Sequence, residues 1–145
     1  GQRWEGVRHL LVHAPMERIP LFVKAGSAIL EESVRTSTAE PADELILHLY
    51  VKEGAFRYRI YDDDGETLDY SKGCCFEAVG DVSLADGCLS VDEQVTSSAW
   101  RPHWKRRRVV VHTDRAIRAV KWNGRDVQAQ DGAGGTLEFD AELRP

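Results

Sequence analysis

Five carboxylates lie within the eight positions 62–69 of the chain. Oxygen ligands of this kind bind calcium, so a cation site is the first hypothesis for the segment. An EF-hand loop is excluded, because placing Gly65 at the sixth loop position puts Ile60 and Ser71 at the first and last positions, and neither side chain is a carboxylate. An irregular oxygen cage stays open, with the weak candidate ligands Asp62, Asp63, Asp64 and Glu66.

The favoured interpretation of the same segment is an acidic hairpin turn, because Asp side chains hydrogen-bond to the backbone of their own turn and Gly65 tolerates a positive φ. Two of the carboxylates could instead form the acid and nucleophile of a glycosidase, which requires carboxyl groups roughly 5–9 Å apart. Water around an exposed turn leaves neither pKa high enough for an acid at neutral pH. We therefore predict no catalytic residue, no metal site and at most weak cation binding.

Two tryptophans, Trp100 and Trp104, stand among five Lys and Arg side chains in the segment 100–108. Aromatic and basic residues are combined in this way in nucleic-acid-binding proteins. The whole chain carries 24 acidic and 19 basic side chains, a net charge of -5, which disfavours a polyanion, so we expect internal acidic partners for the arginines. The tryptophans either stack on sugar rings from an exposed surface or belong to the core with one polar edge.

The composition is that of one folded domain of 145 residues, with 42% hydrophobic and 30% charged residues. No apolar run approaches the roughly 20 residues of a membrane span, and no leader peptide is visible, so no membrane partner is expected. The three cysteines, Cys74, Cys75 and Cys88, are an odd count without metal-ligand spacing, which indicates reduced thiols. These features favour a cytoplasmic protein without a cofactor.

The first half of the chain contains apolar runs with the period-2 alternation of strands. A strand is predicted at 19–23, with Pro20 near its start, and the runs 44–51 and 56–61 predict a hairpin. The polar stretch 31–43 between them has no apolar periodicity and predicts a linker.

The second half of the chain continues the pattern with shorter runs bounded by Gly, Asp or Asn. These runs lie at 74–79, 82–84, 88–91, 108–112, 117–122 and 136–139. The pair Asn123-Gly124 predicts a type I′ turn, because both central residues of that turn have positive φ. Short strands at this spacing predict a nearly all-β fold, an antiparallel β-sandwich.

Three segments stand in a distinctive order along the chain: 1–6, GQRWEG, then 14–27, APMERIPLFVKAGS, then 61–73, YDDDGETLDYSKG. Their order and wording resemble the C-terminal portion of glycoside hydrolase family 31, the α-glucosidases and α-xylosidases. The late segment 120–124, VKWNG, is similar to a V-x-x-N-G turn of that family. The resemblance covers nearly the whole chain.

This resemblance implies a distal C-terminal β-sandwich at 43–145, preceded at 1–42 by the last strands of a proximal β-sandwich and a linker. It also implies that the catalytic (β/α)₈ barrel is a separate domain, and no segment here matches the family's catalytic motifs. The implied function is a non-catalytic accessory domain of a retaining α-glycosidase in carbohydrate metabolism, which packs on the barrel and stabilises it.

Two alternatives belong to other classes of protein. One is an independent carbohydrate-binding module that uses Trp100 and Trp104, and the other is a small enzyme that uses the carboxylates of 62–69. For the isolated chain we expect self-association through 9–26, because the apolar strand implied there lacks its partner strands. Deletion of 1–42 is expected to leave a more soluble, folded monomer.

Overall fold

A computed structural model of the chain describes residues 4–6, 9–37 and 40–142. The described strands are, in chain order, β1 (Ser27–Glu32), β2 (Glu44–Tyr50), β3 (Gly54–Asp62), β4 (Phe76–Ala85), β5 (Cys88–Ser98), β6 (Arg106–His112), β7 (Ala119–Trp122), β8 (Arg125–Val127), β9 (Gln130–Asp131) and β10 (Leu137–Asp140). Two 3₁₀ turns, Asp69–Lys72 and Ala133–Gly135, are the helical content of this part of the chain. The same residues contain no helix long and apolar enough to cross a membrane.

The strands form two five-stranded sheets that enclose one core. Sheet A has the order β1-β2-β6-β10-β9, and sheet B has the order β3-β4-β5-β7-β8. The inward side chains of β2, Leu45, Leu47 and Leu49, are at most 1% exposed, because alternate residues of a strand point to the same face. Ile60 and Leu89 of sheet B belong to the same apolar cluster. The predicted all-β sandwich is therefore confirmed.

Both sheets are mixed. The pairs β2 with β6 and β5 with β7 are parallel, and the other pairs are antiparallel. The hairpin predicted from 44–51 and 56–61 is wrong, because β2 pairs with β1 and β6 while β3 pairs with β4 in the opposite sheet. Alternation identifies the buried face of a strand and leaves its neighbouring strand undetermined. A connection between two sheets therefore has the same sequence pattern as a turn within one sheet.

The strand predicted at 19–23 is also wrong. Residues 9–24 have no regular secondary structure, and the first described strand, β1, pairs antiparallel with β2. Pro20 has no N–H to donate to a sheet, and the described residues offer the segment no neighbouring strand.

The segment 31–43, predicted as a linker, is attached to the sandwich at both ends. Its first two residues belong to β1, and near its end Ala42 is buried while the Asp43 carbonyl accepts the N–H of Lys105 at 2.8 Å. β1 is thus an edge strand of the sandwich that 44–142 forms. The division of the chain into domains at 1–42 and 43–145 stays a prediction.

The turn between β7 and β8 has the predicted sequence and conformation. Asn123 has φ 49° and Gly124 has φ 75°, and Trp122 pairs with Arg125 across the two-residue turn. The amide oxygen of Asn123 also accepts the backbone N–H of Glu93 at 2.7 Å, which ties the turn to β5. The predicted type I′ turn is confirmed.

Tyr58 lies across the inner face of sheet B. Its partner in register on β4 is Gly80, whose partner on β5 is Glu93, and the Tyr58 hydroxyl reaches over the glycine to donate to Glu93 Oε2 at 2.7 Å. Burial, followed by the charge of Glu93, raises the pKa of Tyr58. Position 80 therefore requires glycine, because the Tyr58 ring occupies the space in which a Cβ would lie.

Replacement of Gly80 by alanine is expected to destabilise the sandwich by about 1–3 kcal/mol, because the new Cβ would overlap the Tyr58 ring. Urea unfolding of Gly80→Ala measures this loss. Ser83→Ala, on the exposed face of the same strand, is the control and should change little. Equal stability of the two variants would show that the ring can move aside at no cost.

Candidate functional site

The acidic segment forms the loop between β3 and β4. Asp63 accepts the backbone N–H of Gly65 at 2.8 Å, and Asp64 accepts those of Glu66 and Thr67 at 3.1 and 3.0 Å. The Thr67 hydroxyl also donates to Asp64. All of these bonds lower the pKa of Asp64, and the bond from the hydroxyl has the largest effect. The predicted acidic hairpin turn, held by side-chain-to-backbone bonds, is confirmed.

Of the candidate metal ligands, Asp62 is the last residue of β3, whereas Asp63, Asp64 and Glu66 lie in this loop. The carboxylates of the three aspartates bond to different partners. Asp62 turns inward to a tryptophan, Asp63 accepts the Tyr61 hydroxyl, and Asp64 bonds to its own turn. The hydrogen bond to Asp63 raises the pKa of Tyr61 to about 12. Within the described residues no group of three or more His, Cys, Asp or Glu side chains could hold a metal ion.

Weak cation binding by this loop stays a prediction. Millimolar calcium is expected to leave the thermal unfolding midpoint unchanged, because stabilisation by a ligand requires its concentration to exceed Kd. Magnesium at the same ionic strength is the control for nonspecific screening. A calcium-dependent rise of several degrees, lost in Asp64→Asn, would contradict the interpretation as a turn.

Trp100 and Trp104 lie in the connection between β5 and β6, and both are half-buried against the core. The Trp100 indole N–H donates to Asp62 Oδ2 at 3.1 Å, and that of Trp104 donates to Glu32 Oε1 at 3.0 Å. Trp104 also packs edge-on against Phe76, with ring centroids 6.0 Å apart. The two indoles thus link the connection between β5 and β6 to the last residues of β1 and β3.

The two carboxylates beside the indoles differ in their surroundings. Burial raises the pKa of Asp62, and the hydrogen bond from Trp100 partly opposes this effect. Glu32 is paired with Arg35, whose guanidinium also donates to the Glu40 carbonyl. Binding of sugar by Trp100 and Trp104 stays a prediction, and a sugar would have to contact the partly exposed ring faces, because both N–H groups already have acceptors.

The arginines of β6 have the internal partners expected from the charge balance. Arg107 is buried between the sheets and donates to Glu93 Oε1 at 2.6 Å, while Arg108 lies near Glu44 and Glu138 at 3.5 and 3.4 Å. Lys105 pairs with Asp43 at 2.8 Å. Four of the five basic side chains of the segment 100–108 thus have acidic partners within the domain, and the absence of nucleic-acid binding stays a prediction.

The outer face of sheet B carries a shallow groove of about 760 Å³. Its lining combines the apolar side chains of Val79 and Val95 with polar residues that include Arg57, Asp81 and Gln94. Arg57 donates two parallel hydrogen bonds to Asp81, at 2.7 and 2.8 Å, so the positive charge of Arg57 is paired within the groove.

The segment 9–24 presents the largest group of exposed apolar side chains in the described part of the chain. Its exposed large residues are Leu10, Leu11, Val12, Met16, Ile19, Leu21 and Phe22. Leu11 and Met16 are fully exposed, and Leu21 and Phe22 are 85% and 61% exposed. A contiguous stretch of this kind is typical of a surface that another protein surface covers.

The three cysteines are free, and they differ in exposure. Cys75 is buried, and Cys74 and Cys88 are half-buried. The prediction of unpaired thiols is confirmed.

The chain is similar in sequence to a part of each of two glycosidases. The α-glucosidase 2 of Bacillus thermoamyloliquefaciens is 34% identical over 108 residues, which cover 72% of this chain and 13% of that enzyme. An α-xylosidase of Saccharolobus solfataricus is 34% identical over 74 residues, which cover 50% of this chain and 10% of that enzyme. The chain therefore spans only a small part of the length of these relatives. No family model matches the chain.

The fold of the chain is similar to that of a part of a solved glycosidase structure. The structure of a glycoside hydrolase family 31 dextranase of Flavobacterium johnsoniae, complexed with glucose, superposes with a TM-score of 0.65 and 18% identity, over 74% of this chain and 14% of that one. The mutant of that enzyme complexed with isomaltotriose superposes with a TM-score of 0.64. These superpositions show that the chain shares its β-sandwich fold with one part of that dextranase. The chain is a domain related to glycoside hydrolase family 31.

Proposed function

We propose that the chain is a non-catalytic C-terminal accessory domain of a retaining α-glycosidase, an α-glucosidase or α-xylosidase. In this proposal it packs on the catalytic (β/α)₈ barrel and stabilises it. The observation that carries the proposal is the exposed apolar segment 9–24, joined to a sandwich that matches about a tenth of two such enzymes. The division into a proximal remnant at 1–42 and a distal sandwich at 43–145 belongs to the same proposal.

The energetics favour a covering partner for this segment. Burial of one large apolar side chain contributes about 1.5–3 kcal/mol, and Leu21 and Phe22 remain mostly in contact with water. A neighbouring domain of the same enzyme would cover them without the entropic cost of associating a separate molecule.

A chimera tests the accessory role. The aligned segment of α-glucosidase 2 is replaced by this chain, and the chimera is compared with an enzyme from which the segment is deleted. The chimera is expected to resist thermal inactivation several-fold longer, with kcat per folded active site unchanged. The matched control carries Leu21→Asp and Phe22→Asp and should lose this protection. A chimera that inactivates as fast as the deletion, although its sandwich is folded, would contradict the proposal.

The isolated chain is expected to release no nitrophenol from aryl α-glucosides or α-xylosides. The retaining reaction needs two carboxyl groups about 5–5.5 Å apart across a cleft, and in this proposal they belong to the barrel. Asp64→Asn is the control for contaminating activity. Turnover by the intact chain that is abolished by this substitution would support the alternative of a small enzyme.

A further inference from the structure

Strand β5 has a neighbour on its β7 side along only part of its length. β7 pairs with Cys88–Val91, and the amide oxygen of Asn123 accepts the N–H of Glu93 at 2.7 Å. From 94 to 98 the described residues provide no strand partner on this side. Because alternate residues of a strand direct their backbone groups to the same side, the N–H and C=O of Val95 face this open edge, as the N–H of Glu93 does.

The groove of sheet B follows the open edge of β5. Its lining includes the outward side chains of Asp92 and Gln94 and also the inward side chains of Glu93 and Val95. A cavity can contact both faces of one strand only where no neighbouring strand separates them. Glu142, which follows the last strand, completes the lining. The groove is therefore placed to receive an extended chain beside β5.

The sequence of the open edge does not discourage pairing with another strand. Residues 94–98, QVTSS, contain no proline and no charged side chain, which are the devices that commonly protect the edges of sheets. The outermost strands β1, β3, β8 and β9 all contain charged side chains. The composition of 94–98 is thus that of a strand with partners on both sides.

The lining of the groove is acidic. It contains one guanidinium, that of Arg57, and the four carboxylates of Asp81, Asp92, Glu93 and Glu142. Arg57 pairs with Asp81, and the buried Arg107 pairs with Glu93. Asp92 stands directly opposite Asp81 across the two strands, and its hydrogen bond comes from a serine hydroxyl at 3.4 Å. Like charges in opposite positions repel, so a cation beside Asp92 would be stabilising.

We propose that the open edge of β5 binds an extended, basic peptide segment of another protein, which adds a strand to sheet B. The backbone of the edge supplies hydrogen bonds, and the carboxylates favour Lys or Arg on the added strand. A second copy of this chain is disfavoured, because it would bring two acidic linings together. A sugar is disfavoured, because no aromatic ring is among the described residues of the lining. This inference rests on sheet B and is independent of the docking of segment 9–24.

Titration of the isotope-labelled intact chain with a synthetic peptide tests the proposal by NMR. The peptide has about eight residues, an ordinary strand length, and alternates lysine with threonine. We expect shifts of the amide signals of 92–98 and slower hydrogen exchange at Val95. Methylation of alternate backbone nitrogens of the peptide should weaken binding about tenfold or more, because each lost hydrogen bond costs about 0.5–1.5 kcal/mol. Replacement of its lysines by glutamate should abolish binding.

A pair of matched variants tests the charge preference. Asp92→Asn should weaken binding of the lysine peptide several-fold, and added salt should reduce the difference. Asp126→Asn, on the exposed strand β8 and outside the groove, should bind as the wild type does.

Several results would overturn the proposal. They are no binding at millimolar peptide, equal binding of the methylated peptide, and equal binding of the glutamate peptide. Isomaltotriose that shifts the same amide signals would identify a sugar site instead. Slow exchange of Val95 without peptide would identify another occupant: a second copy if the protection depends on protein concentration, or the chain's own residues 143–145 if their deletion removes it.

Discussion

Replacement of Arg107 by methionine is expected to destabilise the domain by about 3–5 kcal/mol, the loss typical of a buried ion pair from which one partner is removed. The Arg107 and Glu93 side chains are 3% and 7% exposed, so the carboxylate left behind would have little access to water. The guanidinium also donates to the Glu142 carbonyl at 3.0 Å and lies over the Trp122 ring, 4.9 Å from its centroid. One substitution thus removes a tie between the two sheets.

The measurement is urea unfolding of Arg107→Met beside a matched surface variant, Arg57→Met. Arg57 and Asp81 have an equally good geometry but are 68% and 59% exposed, so their loss should be small. The double variant Arg107→Met/Glu93→Gln should recover part of the stability, because it leaves no unpaired charge. Equal effects of the Arg107 and Arg57 substitutions would show that water reaches the buried pair.

We propose that the isolated chain self-associates through its exposed apolar segment. Removal of residues 1–23 is expected to leave a folded monomer, whereas removal of 1–42 should yield a much less stable protein. The longer deletion, which the sequence alone favoured, removes β1 and with it the bond between Glu32 and Trp104. It also uncovers the edge of β2, whose inward leucines are fully buried in the intact domain. The shorter deletion removes most of the exposed apolar segment and keeps β1.

Sedimentation of the three chains over a wide range of concentration checks this expectation, with thermal unfolding of each as the measure of folding. Leu21→Asp/Phe22→Asp in the full-length chain should reduce association, and Arg18→Asp in the same segment should not. A full-length chain that stays monomeric at high concentration would contradict the proposed self-association. A stable monomer after deletion of 1–42 would contradict the structural role of β1.

Local patterns in the sequence were sufficient for the features that depend on neighbouring residues. The turn at Asn123 and Gly124 follows from the positive φ of two successive residues, and the bonds of Asp63 and Asp64 join groups two or three positions apart. The all-β composition follows from period-2 alternation, because that alternation is the direct consequence of strand geometry. The relation to family 31 likewise rests on contiguous motifs.

Only the tertiary structure decided which distant residues meet. Segments 14 to 64 positions apart are joined by the parallel pairing of β2 with β6, by the ion pair of Arg107 with Glu93 and by the hydrogen bonds of His48 with Glu31 and His112. No local pattern encodes such contacts. The strand predicted at 19–23 failed for the same reason, because alternation shows that a segment can form a strand, and a strand forms only where another backbone completes its hydrogen bonds. In this chain those bonds are available to β1 on the edge of β2, and the apolar segment before it is left exposed.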